Sequence, residues 1–333
     1  MIVLENKEYD SSFGPQSPAR YLRDTLVAKG ALLRQYYGIG HSSLDNYIAM
    51  VSGIAPDRAT QGDCGSYVEF VEDGVAPDGQ PIGDGCVYPA HVKTIADQLE
   101  AARRTWKAYM EDMGKDRSRE RAPCGHAHIG AVDLTRHATA EDQYADKHDP
   151  FVYFHSIVDS PSCEAHVVPL TPLVHDLRSV ATTPDFAYIT PNLCHDGHDR
   201  PCRDGEPGGL ESTDRFLGEW VPRIMASPAY RRDGLIVIIW DEAPSANKQA
   251  CCHEPTGPNT KSPGAGGPGG GRTGAVLLSP FIRPGTVSDT PYNHYSLLRS
   301  IEDLFGLAHL GYAGQAGLVP FGADVFTASS ARR

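Results

Sequence analysis

Three short apolar runs end abruptly in residues that bind cations or phosphate, and no other feature of the chain constrains its fold as much. Ile2-Val3-Leu4 stops at Glu5-Asn6, Phe186-Ala187-Tyr188-Ile189 stops at Thr190-Pro191-Asn192, and the run 235–240 stops at Asp241-Glu242. Runs this short and this apolar predict strands buried on both faces of a mostly parallel sheet. Ligands of open α/β sheets gather outside the carboxyl ends of the strands, so the polar residues after the three runs are expected to converge in one crevice. Ala275–Leu278, closed by Ser279-Pro280, predicts a further strand without ligands. Helical patterns over 19–28, 91–113, 214–225 and 295–307 alternate with the runs, which predicts a three-layer α/β/α sandwich with a mostly parallel central sheet.

The 333 residues are expected to form one unit, 1–333, with loop insertions near 62–88 and 251–274. A formal charge of -12 argues against nucleic acid or an anionic membrane surface as a partner. Stable membrane insertion is not expected either, because no apolar run approaches the ~20 residues a spanning helix needs. Phosphate handled against such an acidic background requires a local cation. Eight cysteines without a single C-x-x-C spacing point to disulfides and an oxidising compartment, hence to a secreted protein. Cys194 and Cys202 flank a histidine-rich loop and are expected to staple it. The chain turns polar at Glu5, so no export signal is visible in it, and the composition says nothing of oligomeric state.

Gly40-His41-Ser42-Ser43-Leu44-Asp45-Asn46-Tyr47 leads into a short helical pattern closed by Gly53, placing Ser43 at or near a helix N-terminus. There it is either a plain N-cap or a nucleophile beside backbone N–H groups that favour a phosphoryl oxygen. A bound divalent cation would lower the pKa of its hydroxyl and offset charge on the phosphoryl group. Asp241 and Glu242 are like charges that would repel unless a cation holds them. With Glu5, Asn6 and Ser43 they make an oxygen-rich set suited to Ca, Mg or Mn. Asn192, His195, Asp196 and His198 crowd one loop, a mixture that suits a second metal, or phosphate contacts and a general acid. His294 and His148 are lone histidines that capping or packing explains equally well.

Together these segments resemble the bacterial phosphoesterase family of secreted acid phosphatases, phosphatidylinositol-3-phosphate phosphatases and phospholipase C enzymes, whose fold is alkaline-phosphatase-like. The resemblance rests on Glu5-Asn6-Lys7, on His41 to Tyr47, on Lys147 to Phe154, on Asn192 to Asp199, on Trp240-Asp241-Glu242 and on His294-Tyr295. It implies one or two divalent ions (Ca, Mg, Mn or Zn), the first held by Glu5, Asn6, Ser43, Asp241 and Glu242, with Ser43 taking the phosphoryl group. It further implies that Asp196, His198 and His294 line the centre, either as ligands of a second ion or as contacts to phosphate and leaving group. Asn6, His148, Asn192 and His195 are expected to touch substrate, a phosphorylated small molecule or phospholipid head group. The family usually has prolines where Ser42 and Asp45 stand, which leaves Ser42 as the alternative nucleophile. Phosphomonoesterase activity is the leading expectation. A phospholipase C-type diesterase and a non-catalytic calcium-binding module are the alternatives, and the formylglycine signature of sulfatases is absent around Ser43.

Overall fold

The computed structural model describes residues 1–327. Its centre is an eight-stranded sheet of β1 (Ile2–Leu4), β2 (Ala31–Leu33), β3 (Trp106–Met110), β4 (Val167–Pro169), β5 (Phe186–Thr190), β6 (Ile236–Trp240), β7 (Ala275–Leu278) and β8 (Thr286–Ser288). The strand order is β8-β2-β7-β6-β1-β5-β3-β4. Only β7 opposes its neighbours, running antiparallel to β6 and β2; the other pairings of the sheet are parallel.

The longer helices are α1 (Ser43–Ser52), α2 (Ile95–Ala101), α3 (Gly209–Ala226) and α4 (His294–Phe305). Because successive side chains of a strand point to opposite faces, the apolar runs divide between two cores. Val3, Val237, Ile239, Ala275 and Leu277 pack with Leu44, Tyr47 and Ile48 of α1, Ile95 of α2 and Leu297 of α4. Ile2, Leu4, Ile236, Ile238, Trp240, Val276 and Leu278 pack with Phe216, Leu217 and Val221 of α3. This two-sided burial is what makes the runs continuously apolar rather than alternating, and it produces the expected three layers.

The three runs are neighbours in the sheet. Ile2 of β1 aligns with Ile189 of β5, and Leu4 aligns with Trp240 of β6. Parallel strands in this register bring Glu5, Asp241 and the loop after Thr190 out at one edge.

Two expectations fail. Residues 91–113 are not one helix: α2 ends at Ala101, Arg103 turns the chain with a φ of 57°, and Trp106 to Met110 become β3, paired with β5 over five residues. The β-prone aromatics there gain more from the sheet than from helical spacing, a case of tertiary packing overriding local pattern. The insertion 62–88 is not wholly loop, since Val71–Val75 and Pro81–Asp84 form an antiparallel hairpin. The tract from 254 to 274 is irregular, as expected.

All eight cysteines are paired, as Cys64–Cys86, Cys124–Cys163, Cys194–Cys202 and Cys251–Cys252. Among the described residues no helix is long and apolar enough to cross a membrane.

Candidate active site

The segment before α1 is folded back onto the helix by Asn46. Its Oδ1 accepts the N–H of Ile39 at 2.8 Å and of Gly40 at 3.1 Å, and its Nδ2 donates to the Ser42 carbonyl at 2.9 Å. A Cβ on Gly40 would lie 2.4 Å from Asp45 Oδ2, so the Asp45 carboxyl would have to shift to admit one. Ser43 is thus the first residue of α1, and Gly53 closes the helix in the left-handed region at φ 69°, as a C-terminal glycine should. The Ser43 hydroxyl is buried and donates to Glu5 Oε2 at 2.9 Å. Ser42 instead donates to the Gln61 carbonyl at 3.4 Å, so of the two serines only Ser43 meets the strand-end carboxylates.

Around that bond the ends of β1 and β6 interlock. Asn6 takes a left-handed φ of 59°, its N–H donates to Asp241 Oδ1 at 3.0 Å, and its Nδ2 donates to Glu5 Oε2 at 2.7 Å. Glu242 is bonded by His41 Nδ1, and His41 Nε2 reaches the Asn247 carbonyl at 3.0 Å. Burial, then Asp241, holds the Glu5 carboxyl well above the carboxylate range. Burial, then Glu242, does the same to Asp241; burial, then Asp63, does so to Glu242; and burial, then Glu5, does so to Asp196. Glu5 Oε1, Asp241 Oδ2 and Asp45 Oδ2 are buried without a hydrogen-bond partner. Buried acceptors of one sign, unpartnered and converging, are a destabilising arrangement for the protein alone. Carboxylate oxygens of this kind are what a hard divalent cation takes, so Glu5 and Asp241 fit the implied metal in their chemistry. Among the described residues, however, no three acidic or histidine side chains of this cluster bring ligand atoms within 4.8 Å of one another, so they would have to draw closer to hold it.

The histidines are placed unequally. His148 is buried against Glu5 and Asp196: its Nδ1 lies 3.1 Å from Asp196 Oδ2, and its Nε2 lies 3.3 Å from Glu5 Oε1, outside hydrogen-bond alignment. Burial pushes its pKa well below the usual value, with Lys147 and His198 adding to this. His198 is exposed, tied to Asp199 through Nδ1 at 2.8 Å, with its ring 6.0 Å from that of His148. His294 is fully buried with both nitrogens engaged, since Tyr36 donates to Nδ1 at 2.9 Å and Nε2 donates to the Asp241 carbonyl at 2.5 Å. Burial lowers its pKa to about 4, which keeps the imidazole neutral. With no free nitrogen, it braces the backbone of Asp241 in this arrangement.

Two expected residues do not join the cluster. His195 is held by Glu111 at 2.9 Å and faces Phe216. Asn192 accepts from the N–H groups of Cys194 and His195 and donates to Asp112 at 2.8 Å. Their amide and imidazole groups shape the loop that carries Asp196 rather than meeting Ser43, because short Asn side chains compete for nearby backbone groups.

Three residues that stand in the matching motifs, but to which no role was assigned there, complete the surroundings. His41 stands two positions before Ser43, and an imidazole so near a proposed nucleophile was a usable signal. Lys7 donates to the Gly197 carbonyl at 2.7 Å, linking β1 to the Asp196 loop. Lys147 is buried and pairs with Asp63 at 2.9 Å; burial draws its pKa down, but Asp63, Glu5 and Asp241 outweigh this and keep it a cation.

A three-layer sandwich with its acidic cluster at the ends of adjacent parallel strands is the architecture expected from the sequence. The sequence model of the Phosphoesterase family matches residues 19–308, and the chain belongs to that family. It is 25% identical to a probable acid phosphatase of Kluyveromyces lactis, over 93% of this chain and 58% of that protein. It is likewise 25% identical to a phosphate-repressible acid phosphatase of Penicillium chrysogenum, over 93% and 59%. The chain therefore spans less than two thirds of the length of these fungal relatives. A phosphatidylinositol-3-phosphatase of Mycobacterium tuberculosis is 23% identical over 95% of this chain and 79% of its own. Among solved structures, a putative sulfatase from Bacteroides thetaiotaomicron superposes with a TM-score of 0.51 at 12% identity, over 96% of this chain and 72% of that one; this likeness concerns the fold.

Proposed function

We propose that the protein is a metal-dependent phosphomonoesterase of acid phosphatase type in which Ser43 is the nucleophile. The observation that carries this reading is the 2.9 Å bond from Ser43 Oγ to Glu5 Oε2 amid buried, unpartnered carboxylate oxygens. The names of the relatives, acid phosphatases and a phosphatidylinositol-3-phosphatase, support a phosphorylated small molecule or phospholipid head group as substrate. Glu5, Asn6, Ser43, Asp241 and Glu242 would hold the ion. When bound, it lowers the pKa of the serine hydroxyl and offsets charge on the phosphoryl oxygens.

The chain's own groups do the rest. The Ser43 hydroxyl passes its proton to Glu5 Oε2, 2.9 Å away, as Oγ forms the bond to phosphorus and the bond from phosphorus to the ester oxygen breaks. His198, exposed beside His148, donates a proton to the departing oxygen. Water then attacks phosphorus and gives a proton back to His198, the bond from phosphorus to Ser43 Oγ breaks to release phosphate, and Glu5 returns the proton to Ser43. His148 and Asp196 orient Glu5, while Asn6 fixes Glu5 to Asp241. Four disulfides support an oxidising, extracytoplasmic location.

The test is turnover of an aryl phosphate with a diester run in parallel, in the presence of Ca, Mg, Mn or Zn. Ser43→Ala should abolish the monoester activity, and rapid acid quenching of the wild type should trap phosphate on Ser43. Full activity in Ser43→Ala would refute the assignment.

A further inference from the structure

The residue that caps the first turn of α1 does not come from the segment before it. Ser42, in the N-cap position, makes no side-chain cap bond. The cap arrives from across the fold: Asp63 Oδ1 accepts the N–H of Leu44 at 3.1 Å. Its other oxygen, Oδ2, accepts from Lys147 Nζ at 2.9 Å. One carboxylate therefore ties the helix that begins with Ser43 to the segment that carries His148. Those two segments meet again on Glu5, through Ser43 at 2.9 Å and His148 at 3.3 Å. Glu5 and Asp63 thus close a ring of contacts from opposite sides, braced by the stacked rings of Tyr47 and His148, 5.1 Å apart.

Asp63 is itself held in place. It has a φ of 55° and Cys64 a φ of 41°, both left-handed and uncommon for residues other than glycine. A turn of that kind is kept by its neighbours, here the bond from the Asp63 N–H to the Thr60 carbonyl at 3.0 Å and the disulfide from Cys64 to Cys86 at the base of the hairpin.

We infer that Asp63 is a positioning residue for the nucleophile, anchored by the Cys64–Cys86 disulfide and acting through Leu44 and Lys147. A carboxylate at a helix start satisfies one of the orphan N–H groups and favours the positive end of the dipole. Here the same contact fixes where the Ser43 hydroxyl sits relative to Glu5. The inference rests on Ser43 as the nucleophile.

Asp63→Ala should lower kcat for the aryl phosphate by about tenfold to a hundredfold, the range for small misplacements of a reacting group. KM and metal content should stay unchanged. Asp63→Asn, which keeps an acceptor for Leu44, should recover most of the loss. A purely structural role would lower stability in Asp63→Ala without that split of kcat from KM, and kcat equal to wild type overturns the proposal. Amide exchange at Leu44 gives a reading independent of activity: it should quicken in Asp63→Ala, and unchanged exchange also overturns the proposal. If the wild type turns over no phosphoester, the Ser43 reading fails while the exchange measurement still decides on Asp63. Should Asp63→Ala not fold, the Cys64→Ser/Cys86→Ser variant releases the anchor instead. It should show faster Leu44 exchange and reduced kcat, and wild-type values for both overturn the inference.

Discussion

His41 bonds Glu242 through Nδ1, and its Nε2–H donates to the Asn247 carbonyl at 3.0 Å. A carbonyl can only accept, so Nε2 carries the imidazole's proton, and in the neutral pair the bond at Nδ1 is donated by the protonated Glu242 carboxyl. Burial drives the two partners in opposite directions, Glu242 up and His41 down, so the neutral forms are favoured until a cation restores the carboxylate. His41 therefore sets the orientation of a proposed metal ligand without being one. Outer partners of this kind are worth about 10–100-fold in metal affinity. His41→Gln should weaken metal retention by that order, read by competition with a chelator, and affinity equal to wild type would count against the role.

Removing the metal should cost both activity and stability. Glu5, Asp45, Asp241 and Glu242 crowd one buried region with unpartnered oxygens on three of them, and a cation bound only by the folded state stabilises it by mass action. At a hundredfold excess over Kd that contribution is about 2.7 kcal/mol. Dialysis against a chelator should abolish phosphoester turnover and lower Tm by several degrees, with both restored on adding back a divalent ion. A protein whose Tm and activity ignore chelation has no such site.

The sheet and the convergence at its edge were legible because burial on both faces leaves continuous apolar runs, and because β5, β1 and β6 happen to be adjacent. Ser43 was legible as well, through the glycine-closed helical pattern after it. Asp63 was not: it acts on a helix 19 residues earlier in the chain and on a lysine 84 residues later, and no periodicity records contacts of that kind. His195 and Asn192 misled for a related reason. Residue type advertises what a side chain can bind, whereas its partner is set by which groups the loop brings near, and here those are Glu111 and the loop's own N–H groups. The segment 91–113 read as one helix because Trp106, Tyr109 and Met110 fall at a spacing that both a helix and a twisted strand can present.

The Cys194–Cys202 bridge encloses the loop on which Asp196 sits, with a sequence separation of 8. Asp196 in turn accepts from the His198 N–H at 2.7 Å and contacts His148. A short loop closed this way contributes about 2–3 kcal/mol through the unfolded chain. Cys194→Ser/Cys202→Ser should lower Tm accordingly and reduce kcat, because Asp196 loses its support. Loss of stability with kcat intact would leave the staple structural only.

Glu302 offers a pH dependence that lies apart from the catalytic cluster. It is buried in α4, its Oε1 accepts the Leu310 N–H at 2.8 Å, and its Oε2 has no partner. Burial, opposed by the Leu310 bond, raises its pKa from 4.5 to about 8. A carboxyl whose pKa is higher folded than unfolded keeps its proton in the native state while the unfolded chain has lost it. The native state then binds more protons, and stability falls as pH rises from about 4.5 to about 8, levelling beyond. Glu302→Gln removes this titration while leaving an oxygen for Leu310. The difference in Tm between Glu302→Gln and wild type should therefore grow in favour of the variant across that range, at up to about 1.4 kcal/mol per pH unit. Thermal melts of both proteins in matched buffers test this, and a difference that stays flat with pH would mean that Glu302 ionises as readily in the fold as in the open chain.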